Sequence, residues 1–300
     1  MEGLTNLGST CAINSLLQIL YRNDKFKKLI LASSTPENTI TYELKDLFIT
    51  LDTHKNNITP IRFINNFYLI FNKTFTKFEQ IDICELFIYL VQKIHDETCV
   101  SINVPNKNFS NIYEEHNYKI AVHNNFKYSD IYKLVQGSHM HYIQCLNCDN
   151  ITRTFEPFII IPLDTKDNYS IANLMNNYYA TELRTDDNWI CNKCKQKSNY
   201  NKGTSIWKYP EILFVSLNRF KDLINKNTDL INVDMKLFLN KIYILHSIGF
   251  HHGSLQSGHY NAICRNINNG YIYYDDNNVG NINNLEPILK TPNSYIICYD

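Results

Sequence analysis

Two Cys-x-x-Cys pairs constrain the fold of this 300-residue chain more than any other feature of its sequence. Two such knuckles form a closed tetrahedral zinc site with four thiolate ligands and no open position for chemistry. The alternative is four unliganded or redox-active cysteines, but repetition of the pair beside strand-like residues favours a metal. We therefore expect one structural Zn²⁺ ion that staples a β-rich segment, held by Cys145, Cys148, Cys191 and Cys194.

Composition excludes several classes of partner. The 29 basic and 29 acidic residues cancel, so the sequence shows no electrostatic footprint for nucleic acid or an anionic membrane. No apolar run approaches the roughly 20 residues that span a bilayer, and the first residues do not resemble a signal peptide. Nine cysteines are an odd number, which together with the pairs suits a reducing compartment. We expect a soluble, monomeric protein of the cytoplasm or nucleus, without an organic cofactor.

Hydrophobic periodicity divides the chain into a helical front and a β-rich back. Helical spacing predicts helices from Cys11 and over 41–51, 60–67, 80–95 and 129–134, whereas 101–127 is expected to be an irregular connection. Beyond Gly137 the pattern changes toward period two, with one predicted helix over 170–183. Strands are predicted over 155–163, 212–217, 241–248, 260–264, 271–274 and 295–299. This order indicates an α+β protein whose cleft lies between the two lobes.

Cys11 is the candidate nucleophile because it lies where the first predicted helix begins. The apolar residues of that helix share one face: Ile13, Leu16, Leu17 and Leu20. Ser9 and Thr10 are good N-cap residues, and the positive helix end is expected to lower the pKa of the thiol. A small buried apolar cysteine is the alternative. Asn6 favours the nucleophile, since its amide is placed to donate to an oxyanion.

His259 and Asp275 are the candidate base and orienting acid for that cysteine. A predicted strand runs outward from His259, turns over 266–270 and returns to Asp275. This antiparallel pair brings Asp275 level with His259, which predicts a Cys-His-Asp triad. His251 and His252 are rivals, but no hairpin places an acid beside them.

Asp82 and Glu85 form a third group of interest. They are three residues apart and therefore share one face at the start of a helix. Taken alone, they are most simply explained as acids that favour the first helical turn.

Together these segments resemble one family, the ubiquitin-specific proteases, which are papain-like cysteine peptidases of peptidase family C19. The resemblance covers the whole chain, because its segments follow in family order: GLTNLGSTCAINSLLQ, QIDICELF, the paired Cys-x-x-Cys motifs, PEILFVSLNRF, SGHYNAICR with YIYYDDNNV, and YIICYD.

The resemblance implies a single catalytic domain over residues 1–300 with a papain-like fold. A mainly helical thumb would span 1–128, mainly zinc-stapled fingers 129–205, and a mainly β palm 206–300. The tail of ubiquitin would thread between thumb and palm, and two loops, 221–233 and 254–257, would cover it.

The resemblance also assigns roles in recognising the tail. Asp82 and Glu85 match acidic positions that meet the basic residues of the tail, which replaces the simpler explanation of this pair. Gly258 would leave room for the Gly-Gly end, and Tyr260 would wall the channel.

The expected activity is thiol-dependent hydrolysis after the C-terminal glycine of ubiquitin in its conjugates. Cys11 would attack, His259 would activate it, Asp275 would orient the imidazole, Asn6 would stabilise the oxyanion, and Asp276 would assist. Three rivals remain at this stage: an inactive ubiquitin-binding module, an enzyme for another ubiquitin-like modifier, and a purely zinc-structural scaffold.

Overall fold

The computed structural model describes residues 2–54, 56–105, 109–185, 188–220, 225–254 and 257–300. Its helices are α1 (Cys11–Arg22), α2 (Asp24–Ala32), α3 (Ile40–Thr53), α4 (Ile61–Ile70), α5 (Ile83–Thr98), α6 (Ile112–His123), α7 (Asp130–Val135), α8 (Ile171–Tyr178) and α9 (Glu286–Leu289). No helix in these ranges is both long enough and apolar enough to cross a membrane.

The strands follow mainly in the second half of the chain. They are β1 (Val100–Ser101), β2 (Lys127–Tyr128), β3 (Gly137–Cys145), β4 (Ile151–Phe158), β5 (Ile160–Asp164), β6 (Glu182–Arg184), β7 (Tyr200–Lys208), β8 (Leu213–Asn218), β9 (Ile231–Asn232), β10 (Lys236–Phe238), β11 (Ile242–Gly253), β12 (Gly258–Arg265), β13 (Tyr271–Asp275), β14 (Asn278–Ile282), β15 (Lys290–Thr291) and β16 (Ser294–Tyr299).

Two sheets contain most of the described strands, while β1-β2 and β9-β15 form separate two-stranded pairs. The larger has the order β14-β13-β12-β11-β16-β8-β5 with β10 added beside β11, and all its pairs are antiparallel except β5 with β8. The smaller has the order β4-β3-β7-β6 and is antiparallel throughout. The predicted α+β organisation is therefore confirmed.

The larger sheet separates two apolar cores, because successive residues of a strand point to opposite faces. One face packs against the N-terminal helices, with α1 lying on β12. Phe87 of α5 meets Phe214 of β8 with ring centroids 4.0 Å apart. The other face is covered by α8 and α9. The start of α1 is thereby held against the beginning of the strand that carries His259.

Two local predictions were wrong. The segment 101–127 contains α6, which begins where the Asn111 side chain accepts from the amides of Tyr113 and Glu114. Its apolar residues do not gather on one face of the helix, and only His116 and Ala121 are buried. Periodicity therefore could not predict this helix. Helix α2 lies in the front of the chain that was expected to be helical, but its bounds were not predicted.

The helix predicted over 170–183 is shorter than expected. It begins with a capping box between Ser170 and Asn173 and ends at Tyr178. The residues Glu182–Arg184 pair instead with β7 at the edge of the smaller sheet.

Arg219 holds two loops of the larger sheet together from a fully buried position. Its guanidinium donates to the carbonyl oxygens of Ser294 (2.7 Å), Asp229 (2.9 Å), Asn227 (3.2 Å) and Thr291 (3.4 Å). Burial lowers its pKa to about 10, so the side chain stays charged at neutral pH. Arg219 therefore ties the segment after β8 to the start of β16.

Arg219→Met should lower the free energy of unfolding by about 3 kcal/mol, because several buried carbonyls lose their donor. Urea denaturation measures the change. Arg184→Met is the matched control, since Arg184 pairs with Glu182 at an exposed site and should change stability by less than about 0.5 kcal/mol. Equal losses in the two variants would contradict this role.

Candidate active site and metal centre

Four cysteines lie together at one end of the smaller sheet. Their Sγ atoms all fall within 4.8 Å of one another, and those of Cys148 and Cys191 are 3.7 Å apart. A zinc ion with four thiolates at about 2.3 Å requires sulfur separations near 3.8 Å. The cluster, Cys145, Cys148, Cys191 and Cys194, is thus close enough to bind a metal ion.

Both pairs fold into the same backbone turn. The amide of Asn147 donates to Cys145 Sγ, and the amide of Lys193 donates to Cys191 Sγ, each at 3.4 Å. Amides that point at sulfur favour thiolate, which is the form that binds metal. The donor set therefore fits a soft or borderline ion in a closed site.

The amides and hydroxyl around Cys145 lower the pKa of its thiol. Burial by itself would raise its pKa, but the amides of Asn147 and Cys148 and the Ser198 hydroxyl lower it to about 6. In Cys148 the amide of Asn150 lowers the pKa, but burial and hydrogen bonds from the other three cysteines raise it to about 11, so the four thiols share protons that a bound metal would displace.

Cys11 is the first residue of α1 and is only 2% exposed. Thr10 occupies the N-cap, but its hydroxyl is used elsewhere: it accepts from the Leu7 amide at 2.9 Å and donates to Asn6 Oδ1 at 3.2 Å. The Thr10 side chain therefore does not cap the helix end that faces the thiol.

The thiol of Cys11 lies beside β12. The backbone amide of Tyr260 is close enough to influence its pKa, so the start of α1 and the residue after His259 meet. Burial nevertheless raises the pKa of Cys11, with a further contribution from the charge of Asp276, and outweighs the amides of Tyr260 and Ala12. The predicted lowering of the thiol pKa is wrong for this arrangement, because desolvation of the thiolate exceeds the helix-end effect.

His259 and Asp275 form a close pair. Nε2 of His259 lies 2.5 Å from Oδ1 of Asp275, and Nδ1 makes no hydrogen bond to any residue that the structure describes. Strands β12 and β13 pair with Ala262 opposite Tyr274. This register places Asp275 opposite Asn261 rather than opposite His259. The predicted register was therefore off by two residues, and the contact is a diagonal one on the same sheet face.

Asp276 serves other partners than Asp275, although one oxygen of each carboxylate and one ring nitrogen of His259 lie within 4.8 Å of one another. Its φ of 50° turns the chain out of the strand, a conformation that Asp tolerates. Its carboxylate accepts from Asn6 Nδ2 at 2.9 Å and from Asn14 Nδ2 at 2.8 Å, and its carbonyl oxygen accepts from the Leu4 amide at 2.9 Å. Asp276 thus joins the loop before Cys11 to the β13–β14 turn.

Asp82 caps α5. Its Oδ1 accepts from the amides of Cys84 (2.8 Å) and Glu85 (2.9 Å), while its Oδ2 accepts from the Tyr295 hydroxyl at 2.5 Å. The simpler structural explanation of Asp82 therefore applies alongside any role in recognition. Glu85 remains exposed.

Tyr260 of β12 packs between residues of β11 and β16. The centroid of its buried ring lies 4.6 Å from that of His251 and 6.1 Å from that of Tyr295. Gly258 packs directly on His251: a Cβ at this position would lie 2.1 Å from His251 Nε2. A glycine is required there by the neighbouring imidazole.

Comparison with known proteins decides the family. A sequence model described as "Ubiquitin carboxyl-terminal hydrolase" matches residues 2–299. The chain belongs to the ubiquitin carboxyl-terminal hydrolase family. These are the ubiquitin-specific cysteine proteases, so the family resemblance expected from the sequence is confirmed.

Individual relatives are distant. Ubiquitin carboxyl-terminal hydrolase 4 of Arabidopsis thaliana is 27% identical, with 99% of this chain and 92% of the relative covered. Ubiquitin carboxyl-terminal hydrolase 4 and hydrolase 8 of Saccharomyces cerevisiae are each 24% identical. The chain spans 39% of that hydrolase 4 and 70% of that hydrolase 8.

Solved structures show the same fold. The SAGA DUB module that contains Ubp8, bound to monoubiquitin, has a TM-score of 0.79 at 23% identity, with 100% of this chain and 68% of that chain covered. The same module bound to ubiquitin aldehyde gives 0.78 at 23% identity.

In this member of the ubiquitin carboxyl-terminal hydrolase family, sequence reasoning missed three residues of the site. They are Asn14, Tyr273 and Tyr295, all of which hold a candidate carboxylate. Asn14 carried a signal, since it is a polar residue between apolar ones on the buried face of α1. Parts of the two expected covering loops, 221–224 and 255–256, lie outside the described residues.

Removal of the metal should loosen the smaller sheet. Cys191→Ser, or a chelator at pH 7.5, should lower the melting temperature by several degrees, because metal-binding energy is also folding energy. Cys99→Ser, at the end of α5 and far along the chain from the four cysteines, should not. Metal content by mass spectrometry and thermal melting measure both effects. An unchanged melting temperature after complete removal of the metal would contradict this role.

The raised thiol pKa predicts slow alkylation of free Cys11. Because a raised pKa leaves little thiolate at pH 7, the rate with iodoacetamide should keep rising as the pH passes 9. Mass spectrometry of the Cys11 peptide at each pH gives the rate. A rate that reaches its plateau below pH 7 would show instead that the free chain already holds a thiolate.

Proposed function

We propose that this chain is a deubiquitinating thiol hydrolase that cleaves isopeptide and peptide bonds after the C-terminal glycine of ubiquitin. One observation carries the proposal: Cys11, at an uncapped helix start, lies against the amide of Tyr260, next to a histidine whose Nε2 is held by Asp275. Solved relatives of the same fold that are bound to monoubiquitin and to ubiquitin aldehyde support ubiquitin as the substrate.

The proposed triad divides its roles by atom. With Nε2 bonded to Asp275, the other ring nitrogen, Nδ1, is free to take the proton of the Cys11 thiol. The sulfur then attacks the glycine carbonyl carbon, and Nδ1 returns the proton to the leaving amine. Water, activated by the same imidazole, hydrolyses the thioester and restores the thiol.

Asn6 is proposed as the oxyanion donor. Its Oδ1 accepts from the Gly8 amide at 2.9 Å, which fixes the orientation of its amide group, and one N–H of Nδ2 is used by Asp276. The second N–H makes no hydrogen bond to the residues that the structure describes, and we assign it to the oxyanion, beside the amides at the start of α1. Asp276 assists by holding this amide in place.

Recognition of the ubiquitin tail is proposed for Asp82, Glu85, Gly258 and Tyr260. Both oxygens of Asp82 already accept hydrogen bonds, so Glu85, whose carboxylate is exposed, is the stronger partner for basic residues of the tail. Tyr260 and Gly258 form the opposite wall.

Zinc is the ion proposed for the four-cysteine centre. The spacing of the sulfurs and the amides aimed at them support a closed tetrahedral site. When bound there, zinc supplies structural support to the smaller sheet and takes no part in the hydrolysis.

A ubiquitin probe with a C-terminal vinyl warhead tests the nucleophile. The wild-type chain should be labelled, and Cys11→Ala should abolish labelling. The same change should slow hydrolysis of ubiquitin–aminomethylcoumarin by at least about 10³-fold. Cys84→Ala is the matched control: Cys84 also lies near Tyr260, but its helix start is capped by Asp82, and burial together with the Asp82 charge raises its pKa well above the ordinary value, so labelling should persist.

Labelling of the Cys11→Ala variant would refute the assignment of the nucleophile. Reaction with probes of other ubiquitin-like modifiers, but not with the ubiquitin probe, would refute ubiquitin as the substrate.

A further inference from the structure

Tyr273 contacts the candidate catalytic acid from the side opposite to His259. It lies two residues before Asp275 on β13, so both side chains share one sheet face. The Tyr273 hydroxyl donates to Oδ2 of Asp275 at 3.1 Å, while Oδ1 lies 2.5 Å from His259 Nε2. Each oxygen of this carboxylate therefore has its own partner.

The hydroxyl of Tyr273 is a permanent donor at neutral pH. Burial and the charge of Asp275 raise its pKa to about 12, so it is not ionised under physiological conditions. Its ring packs against the apolar core on this face of the larger sheet and lines a cavity of about 250 Å³ with Phe250 and Ile263. Strand and core together hold the hydroxyl in place.

A single hydrogen bond does not fix an aspartate carboxylate. The χ2 torsion of Asp has a broad, roughly two-fold profile, so a carboxylate held at one oxygen can still rotate about that contact. A second donor at the other oxygen fixes the plane of the carboxylate, and with it the imidazole that the acid orients.

We propose that Tyr273 is a positioning residue, which fixes the plane of the Asp275 carboxylate and thereby aims Nδ1 of His259 at Cys11. This inference rests on the proposed function, since it gives Tyr273 a role only through the triad. Because Tyr273 acts through Asp275, we expect its effect in kcat rather than in KM.

Tyr273→Phe is the direct test, with ubiquitin–aminomethylcoumarin as substrate. We expect kcat to fall about fivefold, with KM within about twofold, because one hydrogen bond to a charged group is lost. Tyr274→Phe is the matched control on the next residue. Its hydroxyl is buried without a hydrogen bond of normal geometry to the described residues, so the same chemical change should leave kcat unaltered.

A double-mutant cycle distinguishes positioning from a merely structural role. If Tyr273 acts through Asp275, the Tyr273→Phe change should have no further effect on kcat in an Asp275→Ala background. A structural role would give the same fractional loss in both backgrounds. Thermal melting of each variant shows whether it is folded.

The outcomes separate this inference from the proposed function. A wild-type chain without turnover of the ubiquitin substrate overturns the function itself. An active wild type with an unchanged kcat for Tyr273→Phe, or with additive losses in the cycle, overturns the role of Tyr273 alone.

Discussion

The anchoring of the N-terminal segment on the β13–β14 turn is the interaction on which the site depends. Asp276 accepts from the side chains of Asn6 and Asn14 and from the backbone of Leu4, so one residue near the end of the chain holds three near its start. Gly3 allows this approach, because a Cβ there would lie 2.5 Å from the carbonyl oxygen of Asp276. The packing of α1 on β12 holds the same two ends together, and the anchor adds hydrogen bonds that fix the loop directly before Cys11.

Local geometry explains how two adjacent acids serve different partners. Strand alternation directs Asp275 to the face that carries His259, and the positive φ of Asp276 directs the next carboxylate toward α1. The same anchor places the charge of Asp276 near the thiol and, together with burial, raises the pKa of Cys11. Structural attachment of the two ends therefore has an electrostatic cost at the nucleophile, which the imidazole must offset during reaction.

The sequence predicted much of this because several constraints agreed. Helix α1, the strands β12 and β13 and the four-cysteine cluster combine strong periodicity with fixed motif spacing, so local pattern and tertiary contacts point the same way. Helix α6 has no apolar stripe and could not be found by periodicity. The direction of the Cys11 pKa was wrong because desolvation depends on contacts from β12, which no local pattern reports. Tyr295 was missed for the same reason, since its hydroxyl reaches Asp82 from a distant part of the chain. Tyr273 is a local neighbour of Asp275, but strand alternation alone does not show that its hydroxyl bonds the carboxylate.

A crystal structure of the chain joined covalently to ubiquitin through a C-terminal warhead tests the central claim most directly, that the two ends of the chain form one reactive centre. The account predicts a bond to Cys11 Sγ, His259 Nδ1 at hydrogen-bonding distance from the reacting atoms, and the Asp276 contacts to Asn6 and Asn14 retained. A warhead bonded to another cysteine, or an imidazole of His259 turned away from Cys11 in that complex, would contradict it.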